Sequence, residues 1–531
     1  MASSYPPAIA KPERQRLVEV IKDWSIANGL TVRPMPTAVT ASDSDLASSL
    51  AMPVPVTLFP SPFPRAAFHE AQAVQTAYNE LYAGISQDEE FLSRIIAQVI
   101  DGDDFTASLW NVHLRVKKEG YTHKHSLGIF RSDYLVHQEA GDGDSTQLPI
   151  KQVEFNTIAA SFGGLSVQAA KLHRFLAETE YGYLQAEPTG PSRYDLPAST
   201  SSQDIAAGLR AAFDVYDRSE PATLGLKRCV LFLVQDGERN VFDQRHIEYH
   251  TSAGGRVPVF RVPFSAVLQS TRVADTPRRQ LLFPLPTDRS RVFEVAVVYL
   301  RAGYGPSDYP DAAAWEGRYH IERTAAIKCP TVLTQAAGTK KVQQVLATPV
   351  NESESGSESG SGSGSSELGR FVAEDSDKAR QIRRTFTNIY PLDTTSAAGR
   401  QARIWAQDVE ACRRFVLKPQ REGGGNNYYK DKIPAQLKAV PEEHWPSYIL
   451  MELITPPPVA NVILRNGQTE QGGVICELGV YGTCIWAAGG RGSDTIVRNE
   501  TAGYLLRTKG DQSEEGGVAA GFGCMDSVNL V

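Results

Sequence analysis

The sequence is short of the residues that mark secreted, nucleic-acid-binding and membrane-spanning proteins. Six cysteines occur in 531 residues (Cys229, Cys329, Cys412, Cys476, Cys484 and Cys524), none in a C-x-x-C pair. That spacing excludes a zinc ribbon and a disulfide scaffold, and it fits a reducing, cytoplasmic compartment. Lysine and arginine (54) are outnumbered by aspartate and glutamate (61), the net charge is −7 and no basic block is present, so no nucleic-acid partner is expected. The uncharged stretch from Leu46 to Pro64 has membrane-spanning length but carries Pro53, Pro55, Pro60, Pro62 and Pro64. No transmembrane helix tolerates prolines at that density, so the stretch reads as an extended loop and no membrane association is expected. The opening MASSYPPAIAKPERQRLVEV holds no apolar core of the signal-peptide kind. Two nucleotide signatures are also missing. There is no G-x-x-x-x-G-K-[ST], which excludes a P-loop NTPase, and no H-R-D-x-x-x-x-N or D-F-G, which excludes a protein kinase.

Apolar residues at 41% and charged residues at 22% describe an ordinary globular chain. At roughly 150 residues per domain, its length implies about three to four domains. Glycine is unevenly placed: of 43 glycines, 17 lie between Gln401 and Val531, where even spreading would put about 11. Apolar periodicity predicts a helix over Pro12–Gly29 and further helices over Phe68–Ile100, with Gly84 as a break. Ser126–His137 and Ile150–Ile158 read as strands, and Leu165–Glu178 as a helix. Between Lys227 and Lys328, the runs CVLFLV, VPVFRV and VFEVAVVYL alternate with helical segments. This predicts a parallel α/β domain of about 100 residues. Glu352 to Ser366 contains only Glu, Ser and Gly. It reads as a flexible insertion in preference to a phosphorylation cassette. FVLK, YILMELI, NVIL and VICELGVYG then announce a sheet-rich last region.

Three motifs carry candidate chemistry. In KPQREGGGNNYY (Lys418 to Tyr429), a strand delivers a lysine to a glycine triplet. Its backbone N–H groups can converge on phosphate, and Glu422 is a hard oxygen ligand of the type Mg²⁺ prefers. In VEFNTIAASFGG (Val153 to Gly164), Glu154 and Asn156 are two residues apart on a strand and point the same way, so they can share a metal edge. In GYLLRTKGDQSEEGGVAAGFG (Gly503 to Gly523), Arg507 and Lys509 share a strand face and a loop of small residues follows. Arg507 there could take a carboxylate in bidentate fashion. YILMELI has the form of a strand whose backbone could read an adenine edge. His123 and His125 in THKH lack a third metal ligand and read as solvated loop residues.

Together, VEFNTIAASFGGL, ERNVFDQ, AGTKKVQQ, KPQREGGGNN, LMELI and LLRTK followed by GGVAAG closely resemble the eukaryotic glutathione synthetases, over most of the chain. The resemblance implies an α/β architecture: a circularly permuted ATP-grasp fold with an inserted parallel α/β substrate-binding domain. Residues 1–226 and 330–531 would form the ATP-grasp body and 227–329 the insertion. It further implies a homodimer, two Mg²⁺ ions per subunit, and ATP-driven ligation of γ-glutamylcysteine to glycine through an acyl phosphate. Carried over by position, Glu154, Asn156 and Glu422 match magnesium ligands. Lys328 (in AAIKCPT) and Lys418 match phosphate-binding lysines. Gly423, Gly424, Gly425, Asn426, Asn427 and Tyr429 match the nucleotide loop, and Met451, Glu452, Leu453 and Ile454 the adenine strand. Glu477, Lys509 and Glu515 match further ATP contacts. Arg131, Ala159, Ser161, Glu238, Asn240, Gln244, Arg301 and Tyr304 match peptide contacts, while Arg507, Val518 and Ala519 surround glycine and the product carboxylate. Arg131, Lys328, Lys418 and Arg507 are the expected catalytic groups. Ala159 stands where many members have Ser, Leu453 where some have Lys, and Glu515 near a position that is often Asp. Two alternatives are a synthetase using β-alanine or serine as acceptor, and a nucleotide-binding scaffold without catalysis.

Overall fold

A computed structural model describes residues 5–34, 49–139, 148–179, 194–349, 367–490, 493–514, 518 and 523–531. The tract 352–366, Glu515, Gly516, Gly517 and Ala519 lie outside the described residues. The helix Lys11–Ala27 forms where Leu17, Val18 and Ile21 fall on one buried face. Arg65–Ser86 is a single helix of 22 residues that runs through Gly84, against the expected break. Its buried face, which includes Ala71, Leu81 and Ile85, lies on a sheet, and that burial outweighs a helix-interior glycine penalty of about 1 kcal/mol. The chain turns only at Gln87, where the Asp88 carboxylate accepts from Phe91 N and caps the next helix, Glu89–Ile96.

The centre is a seven-stranded sheet in the order Val459–Arg465, Val56–Thr57, Cys524–Asp526, Ile496–Gly510, Gln468–Ala487, His125–Val136, Ile150–Asn156. It draws strands from near the start, the first third and the end of the chain. Strand alternation splits its side chains between two cores. Leu127, Ile129, Tyr481 and Ile485 enter one, and Phe130, Val480 and Trp486 the other. The proline-rich stretch is more ordered than a loop. Met52–Pro53, Val56–Thr57 and Ser61–Phe63 each pair as short strands, and Val54, Leu58 and Phe59 are buried. Pro62 is accommodated on a two-stranded pairing, where a missing N–H costs little.

A second sheet covers residues 227–329. Lys227–Val234, Val259–Pro263, Asp288–Leu300 and Ile327–Cys329 run parallel, as expected. Leu281–Leu285 runs antiparallel to both its neighbours, Asp288–Leu300 and Arg272–Val273, because it returns through a tight hairpin into Asp288–Leu300. The sheet is therefore mixed and not purely parallel. A third sheet of four strands, Ile389–Tyr390, Ile449–Glu452, Phe415–Lys418 and Tyr428–Tyr429, has its own small core. Among the described residues, no helix is long and apolar enough to cross a membrane.

Candidate active site

The three sheets meet at a cavity of about 480 Å³. Strand Ile150–Asn156 supplies Glu154 and Asn156 to one wall, and the segment after Phe415–Lys418 supplies Glu422, Gly423 and Gly424. Between these carboxylates sits a group the motif reading did not assign, Lys340. Its Nζ lies 3.1 Å from Glu154 and 3.2 Å from Glu422. Lys340 opens the helix Lys340–Ala347, and its neighbour Lys341 donates its backbone N–H to Gln420 two residues before Glu422. The signal was on the page in AGTKKVQQ, but sequence order could not say which lysine reaches the carboxylates.

Lys328, expected at the phosphates, lies elsewhere. It sits in the strand Ile327–Cys329, is fully buried and donates to Thr324 O at 2.8 Å. That strand pairs along Asp288–Leu300 in the sheet of residues 227–329, whereas the ammonium that meets Glu154 and Glu422 is that of Lys340. Lys418 does arrive, donating to Val153 O at 3.0 Å beneath Glu154.

The electrostatics are those of a cation site. Burial pushes Glu422 up to about 7; Glu154 adds to the rise and Lys340 opposes it. Glu154 is also desolvated, but Lys340, Lys418, Arg507 and Arg131 hold it well below the usual carboxylate range. Lys340 stays above its ordinary value despite burial, because both carboxylates face it. Burial brings Lys418 down to about 8. Both amide protons of Asn156 are committed, to Arg131 O and to Asp133, so the side chain offers its oxygen. Among the described residues, no group of three or more His, Cys, Asp or Glu could hold a metal. The set here is two carboxylates round the Lys340 ammonium, with the Asn156 amide oxygen two residues beyond Glu154 on the same strand. Those hard oxygen donors fit Mg²⁺.

The opposite wall is built for a polar, peptide-sized group. Ala159 and Phe162 take left-handed backbone (φ 51 and 74), which folds the loop after Asn156 back on itself. Ser161 is thereby held by three groups: Arg301 donates to its Oγ at 2.9 Å, and Tyr481 and Arg131 donate to its carbonyl at 2.6 and 3.1 Å. The buried Asp243 caps this turn by accepting from Phe162 N and Gly164 N, and it also takes Arg301. Arg301 keeps Nε and Nη1 buried without a partner, a strong demand for an anionic or carbonyl ligand. Glu238 accepts from Asn240 N and from Gln244, while the Tyr304 hydroxyl donates to Gln235. Glu238, Asn240, Tyr304, Ala159 and Val518 line the cavity; Gln244 supports it from behind.

Most of the expected nucleotide groups lie on or beside the neighbouring four-stranded sheet, while Glu477 and Lys509 stand on the seven-stranded one. Gly423 and Gly425 have φ of +80 and +94, and the Asn426 amide donates to Gly423 O. Met451 is buried with Val416 and Ile449, with Tyr429, Leu453 and Ile454 packed against them in an apolar cluster. Leu453 N is spent on Arg414 O, and Asn388 and Tyr390 donate to the Glu452 carboxylate. Asn427 is half-buried beside the turn. Glu477 pairs with Arg507, and Lys509 donates to Glu514 O.

Residues 11–530 match the family model described as eukaryotic glutathione synthase, ATP binding domain. The glutathione synthetase large chain of Schizosaccharomyces pombe is 37% identical over 534 residues, spanning 98% of both chains. The glutathione synthetases of Homo sapiens (36%, 97% of both chains) and Dictyostelium discoideum (34%, 95% and 96%) are similarly related. In fold, the chain resembles a glutathione synthetase-like effector from Globodera pallida in its apo form. That structure has a TM-score of 0.68 at 21% identity, covering 99% of this chain and 98% of that one.

Proposed function

The chain belongs to the eukaryotic glutathione synthetase family, and from that premise we propose that it is an ATP-dependent ligase joining γ-glutamylcysteine to glycine. One observation carries the reading. A single cavity sets a cation-binding carboxylate pair beside Gly423–Gly424 on one wall, and an arginine-rich, peptide-sized socket on the other. Phosphoryl transfer needs positioning and positive charge more than covalent groups, and both are supplied here.

In this reading Arg131, Ser161, Glu238, Asn240 and Arg301 hold the dipeptide and turn its cysteinyl carboxylate toward the γ-phosphate. The apolar cluster at Met451, Leu453 and Ile454 takes adenine, and Lys340, Lys418 and the backbone of Gly423–Gly425 take the phosphates. Carboxylate oxygen attacks phosphorus, ADP leaves, and an acyl phosphate results. The glycine amine then attacks the acyl carbon beside Arg507 and Val518, and phosphate departs. Glu154, Asn156 and Glu422 would hold Mg²⁺, two ions per subunit, which neutralises phosphate charge. Val518 is buried against the main core and lines the cavity, where water must be excluded.

The finer architecture follows the same reading. Residues 227–329 form a substrate-binding unit inserted in a permuted ATP-grasp body of residues 1–226 and 330–531. The enzyme works as a cytoplasmic homodimer; six free, buried thiols fit that compartment. A coupled ADP-release assay with γ-glutamylcysteine and a panel of small amino acids tests the reaction. ADP release should require the dipeptide and be fastest with glycine. A higher kcat/KM with β-alanine or serine would reassign the acceptor. ATP binding without phosphate release, with both substrates present, would leave a scaffold and not a ligase.

A further inference from the structure

One carboxylate, buried behind the Arg131 that lines the cavity, has no role in the proposed reaction. Asp133 is completely buried on the strand His125–Val136, two residues beyond Arg131 and on the same face. It accepts four hydrogen bonds from three side chains. Arg131 donates through Nε (2.6 Å) and Nη2 (2.7 Å), Asn156 through Nδ2 (3.0 Å) and Arg507 through Nη2 (3.0 Å). These three partners serve the dipeptide, the metal and the glycine in the reaction proposed above, and the inference rests on that reading.

The sheet is built to allow this junction. Arg507 stands on Ile496–Gly510, opposite Glu477, and must reach across the intervening strand Gln468–Ala487 to meet Asp133. The residue opposite Asp133 on that strand is Gly479. A Cβ there would lie 2.9 Å from both the Asp133 Oδ1 and the Arg131 Cδ, so a larger residue would fill the gap through which the carboxylate and guanidinium groups meet. With Nε and one Nη2 proton on Asp133 and an Nη1 proton on Ser161, Arg131 has two of its five N–H groups left for a ligand. Both Nη2 protons of Arg507 go to Asp133 and Glu477, which leaves its Nη1 and Nε edge free.

We propose that Asp133 is a positioning residue that fixes Arg131, Arg507 and Asn156 in one array, so that the dipeptide carboxylate and the glycine meet preset donors. It neutralises one of two neighbouring guanidinium charges, and without it the two would repel each other in a desolvated site. In Asp133→Asn, the amide presents N–H groups toward N–H groups at part of this junction, and the array loosens.

Steady-state kinetics on the full-length protein test this. The KM for γ-glutamylcysteine and for glycine should rise by about 10- to 100-fold, the range for one charge-assisted hydrogen bond. The KM for ATP should rise less than either, because the adenine cluster is on another sheet and Asp133 reaches the nucleotide only indirectly, through Asn156 and the Arg507–Glu477 pair. Gly479→Ala should move the same two KM values by displacing the pair without removing charge, and it carries the test if Asp133→Asn does not fold. KM values unchanged in either folded variant, with only kcat or thermal stability reduced, would overturn the positioning role. Calorimetry of γ-glutamylcysteine binding to the wild type separates the two readings. A wild type that neither binds the dipeptide nor releases ADP ends the reaction assignment and this proposal with it. An active wild type matched by both variants ends this proposal alone.

Discussion

Replacing Lys340 by Met should expose how strongly the site demands a cation. The ammonium lies 3.1 Å from Glu154 and 3.2 Å from Glu422 in a largely desolvated place. At an effective dielectric of about 20, each contact corresponds to about 5 kcal/mol of Coulomb attraction, and desolvation of the ions offsets most of it. Removing one partner of a buried pair costs about 3–5 kcal/mol. Glu422 softens the loss, since burial already pushes it up to about 7 and it can take a proton. The lower figure, about 3 kcal/mol, is therefore expected. An unfolding entropy of about 2.1 cal/mol/K per residue gives about 1.1 kcal/mol/K for a chain of this length, so Tm should fall by about 3 °C if the chain unfolds as one unit. Mg²⁺ with an ATP analogue should shrink that gap, because the carboxylates regain a cation. Turnover should not recover: a missing phosphate donor typically removes about 10²- to 10³-fold of kcat. Thermal melts in EDTA and in Mg²⁺, run beside ADP release, measure both effects. Equal Tm in EDTA together with wild-type kcat would refute the cation-site reasoning.

Three further outcomes separate the roles of neighbouring groups. Glu422→Gln should abolish most turnover while leaving γ-glutamylcysteine binding near wild type, and an unchanged kcat at saturating Mg²⁺ would remove it from the metal site. Lys328→Met should leave the KM for ATP within about twofold, because among the described residues Nζ donates to Thr324 O and to no group assigned to the nucleotide; a large rise would return Lys328 to the phosphates. His173 is buried and neutral, hydrogen-bonded to Ser527 Oγ and Thr57 O, and burial lowers its pKa below the ordinary 6.5. A depressed histidine contributes stability that is present above about 6.5 and lost as pH falls. The stability advantage of wild type over His173→Gln should therefore shrink below pH 6.5, by up to about 1.4 kcal/mol per pH unit. A pH-independent difference in denaturant melts would refute it.

Much of the site was legible because its chemistry is local in the chain. Strand periodicity alone places Glu154 and Asn156 on one face, and the glycine triplet follows its lysine within a single turn. Ordinary sequence patterning also picked out the parallel strands between Lys227 and Lys328, but not the antiparallel strand Leu281–Leu285 beside them. Other features depended on distant partners. Gly84 stays inside a helix because a sheet covers that helix. Pro53 and Pro62 sit in short strands because Thr31 pairs with the first and Asn529, from the far end of the chain, with the second. His123 of THKH is half-buried, not solvated: its ring packs edge-on to Tyr121 and its buried Nδ1 has no hydrogen-bond partner among the described residues.

By itself the sequence determined which chemical groups exist and which lie adjacent along a strand or turn, since periodicity of two and glycine dihedrals are properties of neighbouring residues. From that came the glycine surplus near the C-terminus, the metal-type ligands and the family resemblance. Only the tertiary structure decided that Lys340, and not Lys328, joins Glu154 to Glu422, and that Asp133 ties Arg131 to Arg507. Both depend on strands and a helix that are far apart in sequence meeting at one wall. The energy of such contacts comes from distance and desolvation, which order along the chain does not encode.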